Sequence, residues 1–371
     1  MTLMACLSTA FMSLTAQEIA TWDNWCKAAV TFTFDDGGLL TESHKVAAKE
    51  LEQFGFKGTF YLVTDWCDSH GSWNDYKAFA QNGHEIGSHT VSHPSNCKDE
   101  LETSKEKIES KIGQPCITIA YSNCNYPGRE VFNYYIGGRI CSGGVNSKDP
   151  ADLSKIDAII CGSYGLSNET QFMEKCIEAD NGWVVFFLHG FQGYENNQYS
   201  PSPTNEITFS KTLQSLQQNK STFWVTTMRD AIKYIQERKS ASFTKYSQDA
   251  SSVTYKLTLP TSLTSNTLCN WDYPLSLRAP LPSGWSDVTV KQNSKTIESK
   301  IKDGKVYFKA VPNGGYIVLT KGTSISTNVE SIPTNSLFNK DSWYTIYGIR
   351  LHSRPNNSGV YIHQGNKVII P

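Results

Sequence analysis
Ala29-Val30-Thr31-Phe32-Thr33-Phe34-Asp35-Asp36-Gly37-Gly38 (29–38) is an apolar and β-branched run that ends abruptly on two acids and two glycines. A run with no polar face reads as a strand buried on both sides, the kind found in parallel sheets. Working outward, GTFYLV (58–63), CITIAY (116–121), DAIIC (157–161), WVVFFL (183–188) and TFWVTT (222–227) have the same texture. Helical periodicity falls between them, at 42–53, 98–112, 168–179, 206–219 and 228–238. Alternating strand and helix units predict an α/β fold with a parallel sheet, either open or closed into a barrel. In both, chemistry sits at the carboxyl ends of the strands.

The chain of 371 residues is long for one average domain, which predicts two or three. Past Lys239 the texture changes to Ser, Thr and Asn interleaved with apolar residues, as in VTYKLTL (253–259), VTVKQ (288–292), KVYFKAV (305–311) and GYIVLT (315–320). Residues 240–320 are therefore expected to form an all-β, sandwich-like accessory domain. A Ser/Thr/Asn/Pro-rich linker follows at 321–336, then a short β module at 337–371. Trp271, Tyr273 and Trp285 in the accessory domain are candidates for glycan contact, against a plain packing role.

Acidic and basic residues nearly cancel, 35 against 34, and no basic block suggests a nucleic-acid partner. Residues 1–16, MTLMACLSTAFMSLTA, carry no charge and read as the apolar part of a secretory signal cleaved after Ala16. Leu3-Met4-Ala5-Cys6 also resembles a lipoprotein signal. No other segment reaches the ~20 apolar residues of a membrane span. Ten cysteines without a CxxC pair suit an oxidising compartment, with pairing not readable from sequence. Oligomeric state is equally illegible.

Three clusters could carry chemistry. Adjacent Asp35 and Asp36 repel each other and call for a compensating cation, although Asp-Gly is also an ordinary turn. His89-Thr90-Val91-Ser92-His93 places two imidazoles within reach of one ion, on a helical turn or on a loop shaped by Pro94. In Leu188-His189-Gly190 an apolar strand ends on a histidine, as the first ended on its acids. One carboxylate and two imidazoles leave open positions for water and substrate.

The order TFDDG, SHTVSH, LHG resembles the NodB-homology polysaccharide deacetylases, carbohydrate esterase family four, over residues 24–239. The resemblance implies an irregular, incomplete (β/α) barrel. It implies that Asp36, His89 and His93 hold zinc or a similar divalent ion such as cobalt or iron, that Asp35 is the general base and that His189 is the general acid. Water would attack the acetyl carbonyl of an acetylated carbohydrate, with no organic cofactor. One family motif departs: after Ala120-Tyr121 the chain reads Ser122-Asn123-Cys124 in place of Pro-Tyr-Gly. The Asn123 amide could serve the oxyanion, beside Tyr121, and Arg139 in GGRICSGG is a candidate for the missing Arg that holds the catalytic Asp. Asp152 or Asp157 could orient His189. Open alternatives are an O-acetyl esterase on plant polysaccharide, a hydrolase of a small non-sugar amide, and a degenerate relative that only binds glycan. The tail resembles C-terminal β modules of secreted proteins of Gram-negative bacteria, implying sorting or surface retention.

Overall fold
The computed structural model describes residues 17–194, 200–322, 343–345, 350–351, 353–355, 359–363 and 366–370. The expected signal segment and nearly all of the expected linker lie outside these residues. Contacts divide the chain into two compact units, Met1–Lys321 and Gly322–Pro371.

The first unit enters through a two-residue strand, β1 (Glu18–Ile19), and then builds the expected β–α alternation. Its strands are β2 (Ala28–Gly37), β3 (Thr59–Leu62), β4 (Glu85–Ser88), β5 (Thr118–Ala120), β6 (Gly137–Arg139), β7 (Ile159–Ile160), β8 (Trp183–Leu188) and β9 (Phe223–Val225). All pairings in this sheet are parallel, in the order β6-β5-β4-β3-β2-β8-β7, with β9 joined to the start of β2. Ile156, just before β7, bridges back to Arg139 at the end of β6. The row of strands therefore curls round on itself into an irregular (β/α) barrel, the α/β fold that the family resemblance implies, where the strand pattern alone left an open sheet and a barrel as alternatives. The entirely buried β2 lies inside it, flanked by β3 and β8, as an uninterrupted apolar run requires.

Among the described residues, seven α-helices pack outside the strands: α1 (Thr41–Gln53), α2 (Thr64–His70), α3 (Trp73–Gln81), α4 (Leu101–Ile112), α5 (Glu169–Glu178), α6 (Glu206–Gln218) and α7 (Met228–Ser240). Several start where a side chain accepts an orphan backbone N–H: Asn168 caps α5, Asn205 caps α6 and Thr227 caps α7. The short helices α2 and α3 and strand β6 were not expected. The three residues of β6, two of them glycine, are too short for a periodic signal.

The β region has two antiparallel sheets. One orders β10 (Ser242–Gln248), β11 (Ser252–Thr258), β17 (Ile317–Lys321), β13 (Val288–Gln292) and β14 (Lys295–Ile297); the other orders β1, β12 (Leu275–Pro280), β16 (Lys305–Ala310) and β15 (Ser299–Lys302). Phe243 meets Phe308 between the sheets at 6.2 Å, ring to ring. One apolar cluster runs from barrel residues Trp22, Trp183 and Tyr234 through to Leu257, Leu277 and Val306. The chain's own N-terminal strand, β1, is an edge of the second sheet. Trp271 and Trp285 are buried in this cluster, and Tyr273 packs 5.8 Å from Trp224 and from Tyr234, so these rings are core rather than glycan contacts.

In the second unit, β18 (Trp343–Thr345), β19 (Arg350–Leu351), β20 (Gly359–His363) and β21 (Asn366–Ile370) form one antiparallel sheet. Trp343 stacks on His363 at 4.3 Å.

Candidate active site
Adjacent side chains of a regular strand point to opposite faces. Asp35 and Asp36 escape this rule because the β2–β3 register shifts between Phe34 and Gly37 and Asp36 takes a left-handed conformation, φ 60°. Both carboxylates thereby reach His89, whose Nε2 lies 3.9 Å from Asp35 Oδ2 and 3.5 Å from Asp36 Oδ1. Gly38 completes the turn at φ +102°, where a Cβ would stand 2.5 Å from the Cys67 backbone nitrogen. Its N–H donates to the buried Tyr76 hydroxyl at 3.0 Å.

His89 and His93 sit on a loop, not on a helical turn: Thr90 and His93 both have positive φ, 77° and 61°. Such backbone is strained and must be held. Glu100 holds it, accepting the N–H groups of Val91 and Ser92 at 2.8 and 3.0 Å and the Ser92 hydroxyl at 2.6 Å. His89 Nδ1 donates to the Ala120 carbonyl at 2.8 Å, which leaves the Nε2 lone pair facing the carboxylates. The His93 ring stacks on Trp66 at 5.3 Å and puts Nε2 3.6 Å from Asp36 Oδ1. Sequence reading missed Glu100 and Trp66; neither forms a local motif, since each acts on a loop elsewhere in the chain.

Asp36, His89 and His93 offer ligand atoms all within 4.8 Å of one another. Asp36 Oδ1 is buried without a hydrogen-bond partner although two imidazole nitrogens lie close by. A buried carboxylate oxygen left unpaired among lone pairs is what a cation would satisfy, and this donor set suits zinc, cobalt or iron. Burial opposes charge on Asp36, but the hydrogen bond and positive charge that His89 offers when protonated, with those of His189 and His93, hold its carboxyl down to about 2, and a cation would take their place beside neutral rings. The acid is therefore ionised and ready to bind at any ordinary pH.

Arg139 reaches Asp35 from β6, four strands away in the sheet, and its Nη2 donates to both carboxylate oxygens. Only a curled sheet permits that contact. The guanidinium is 1% exposed, wedged over Phe187 at 4.7 Å and Tyr61 at 5.6 Å. Burial alone would raise the pKa of Asp35, yet Arg139, His89 and His189 hold it below the usual carboxylate range. His189, at the end of β8, places Nε2 3.9 Å from Asp36 Oδ2. Burial lowers its pKa, and its Nδ1 is buried without a hydrogen-bond partner.

Three expectations are corrected. Tyr121 is core: its hydroxyl donates to the Ser154 carbonyl at 2.8 Å and its amide to the Arg139 carbonyl at 3.3 Å, so neither is available to substrate. Asp152 caps a turn at Ser154, and Asp157 accepts the N–H groups of Ser142 and Gly144; neither orients His189. Asn123, by contrast, is exposed at φ 54° in the loop after β5. A disulfide between Cys124 and Cys141 fastens this loop to the segment just after Arg139. Cys26, Cys67, Cys97, Cys116, Cys161 and Cys176 are buried free thiols, and Cys269 is a half-buried one.

Residues 24–130 match the sequence model of a family described as polysaccharide deacetylase. This segment of the chain is therefore similar to the polysaccharide deacetylase family. A peptidoglycan-N-acetylglucosamine deacetylase of Bacillus cereus is 42% identical to it over 82 residues, 22% of this chain and 29% of that one. A gellan lyase of a Bacillus species is 26% identical over 346 residues, 84% of this chain and 14% of that one. The chain thus spans less than a third of either relative. A crystal structure of a polysaccharide deacetylase-like protein from Mycobacterium smegmatis shares 16% identity, covering 64% of this chain and 99% of that one, with a TM-score of 0.45. The family match begins at Asn24 and takes in four of the clustered side chains, Asp35, Asp36, His89 and His93, while Arg139 and His189 of the same barrel lie beyond it.

Proposed function
We propose that this chain is a polysaccharide deacetylase that hydrolyses acetyl groups from carbohydrate, at a centre where Asp36, His89 and His93 hold a divalent cation, most simply zinc. The observation that carries this reading is the convergence of the three ligand side chains with Asp35 on Arg139 and with His189, on strand ends far apart in sequence. When bound, the cation would supply Lewis acidity that polarises the acyl oxygen and lowers the pKa of water. Asp35, kept ionised by Arg139, takes the proton from the attacking water. Arg139 also fixes the direction of that carboxylate, so its basic oxygen is preset rather than mobile. Asn123 presents its backbone N–H toward the developing oxyanion. His189 protonates the departing amine or alkoxide, and its unpaired Nδ1 leaves the ring free to be oriented by substrate.

An acetamide is the substrate this arrangement serves best, because an amine leaves poorly without a proton. O-acetyl esters need His189 less. The disulfide and the apolar start of the chain support export, the second β unit supports retention at a cell surface, and 240–320 serves as a β accessory region. The test is acetate release by the metal-loaded protein from chitin oligomers, peptidoglycan fragments and acetylated xylan. Release from at least one, abolished by chelation, is expected. Full metal occupancy with no release from any would overturn the reading.

A further inference from the structure
The family reading leaves unused a cavity of about 410 Å³ at the other end of β2, where the N-terminal turn folds over the outer face of the second β sheet. Its wall includes Trp25, Tyr307, Ile297, Asn24, Glu298 and Lys300. The turn that carries it is strained: Asn24 and Trp25 are consecutive non-glycine residues with φ 54° and 62°. Each such residue persists only where its surroundings over-determine it. Here the Asn24 N–H donates to Ser276 Oγ at 2.8 Å, and that hydroxyl donates to the buried Asp23 at 2.7 Å. Asp23 also accepts from Lys309 at 2.6 Å.

The strained turn separates two tryptophans only three residues apart. Trp22 is wholly buried against Trp224 and Tyr234. Trp25 remains half-exposed, edge-on to Tyr307 at 5.5 Å, with the Arg278 guanidinium over its ring at 4.2 Å. Arg278 is itself held by the Glu18 carboxylate at 2.5 and 3.0 Å, so the indole is braced from one side. Strand alternation explains the rest of the wall. Val306, Phe308 and Ala310 of β16 face the core, and Tyr307 faces outward opposite Lys300 and Arg278.

The Asn24 side chain, which donates to Asp23 at 3.2 Å, and the exposed Glu298 and Lys300 form a polar rim that a purely apolar occupant would strip of water without replacing it, and a small ion would make no use of Trp25, Tyr307 and Ile297. An occupant with an apolar face and a hydrogen-bonding rim satisfies both sets. We infer that this cavity is a binding site for a pyranosyl unit of polysaccharide, with the sugar ring lying against Trp25 and its hydroxyls paired by Asn24, Glu298 and Lys300. Ala28 and Asp35 are seven residues apart on β2, roughly 23 Å at the usual strand rise, so the site is remote from the proposed catalytic centre. It tethers the polymer and raises its local concentration without touching the reaction. The inference does not rest on the proposed chemistry, since it is read by binding alone.

The experiment measures binding of the full chain to chitohexaose, acetylated xylan and polygalacturonate by calorimetry and affinity electrophoresis, the last ligand distinguishing acidic from neutral sugars. Binding to at least one is expected. Trp25→Ala should weaken it at least ~10-fold, as when an aromatic anchor covered by its ligand is truncated, with hydrolysis of a small soluble acetylated substrate unchanged. Glu298→Ala/Lys300→Ala, confined to exposed side chains, gives the same readout without disturbing the strained turn. Tyr246→Ala removes an exposed ring paired with Tyr316 on the other sheet and should have no effect. Binding unchanged in both cavity variants, loss in Tyr246→Ala instead, or no binding by the wild-type chain would each overturn the inference.

Discussion

Two buried carboxylates at opposite ends of the barrel strands have been treated in opposite ways. Glu85, at the start of β4, accepts the Thr59 hydroxyl at 2.9 Å, the Arg229 N–H at 2.7 Å and the Thr118 hydroxyl. Asp36, near the end of β2, keeps one oxygen unpaired with two imidazoles alongside. Glu85 sits on regular backbone, Asp36 at a positive φ next to a register shift. A buried acid that serves structure is saturated with donors, because each missing one costs about 1–3 kcal/mol. A buried acid surrounded by other lone pairs is set aside for something that the chain itself does not supply.

If that contrast is right, the largest effects belong to the Asp36 end and appear as chemistry. Asp36→Ala, His89→Ala and His93→Ala should lose metal together with activity, since each removes one of three ligands. Asp35→Asn and His189→Ala should keep the metal and lower turnover by ~10²–10⁴-fold. Metal analysis beside acetate release separates the groups. Asp35→Asn losing metal as fully as Asp36→Ala would make Asp35 a ligand and break the division of roles.

At the Glu85 end the effect should appear as stability. Glu85→Ala leaves the donors of Thr59, Thr118 and Arg229 unpaired in a buried place, and about 3 kcal/mol of stability should be lost in denaturant titration. Metal content per folded molecule should stay the same. A Glu85→Ala protein that unfolds like wild type but no longer binds metal would erase the distinction.

Glu237 sharpens the comparison, being a buried acid that is only half satisfied. One oxygen accepts the Tyr273 N–H at 3.0 Å and the other has no partner, and burial pushes its pKa up to about 7. The unfolded chain gives up this proton near the ordinary value of 4.5, so between 4.5 and about 7 the folded state binds more protons. Stability therefore falls as pH rises through that window. Relative to wild type, Glu237→Gln should gain about 2 kcal/mol between pH 5 and pH 8. A gain independent of pH would place the effect in packing instead.

The smallest effect concerns the Cys124–Cys141 disulfide, which joins the Asn123 loop to the segment after Arg139. Cys124→Ser/Cys141→Ser should lower kcat by about 10-fold with KM and metal content little changed, as expected when reacting groups lose alignment rather than identity. Unchanged kcat would mean that the loop is held well enough by the Ser122 hydroxyl, which donates to the Pro94 carbonyl at 2.6 Å.

The sequence by itself determined the parallel β–α core and the strand ends carrying Asp35, Asp36 and His189. These are local signals: an uninterrupted apolar run means burial on both faces, and an abrupt polar end means a sheet edge. It also put His89 and His93 within reach of one ion, though on the helical turn it left open they do not lie. Only the tertiary structure decided that Arg139 belongs to Asp35, because the two are 104 residues apart and meet only when the sheet curls. The same holds for Glu100 under the histidine loop and for the fate of the tryptophans. Trp22, Trp25, Trp271 and Trp285 look alike as letters; three are core and one stands at a cavity. Burial of an aromatic ring is set by what packs over it from distant segments, which no short window of sequence contains.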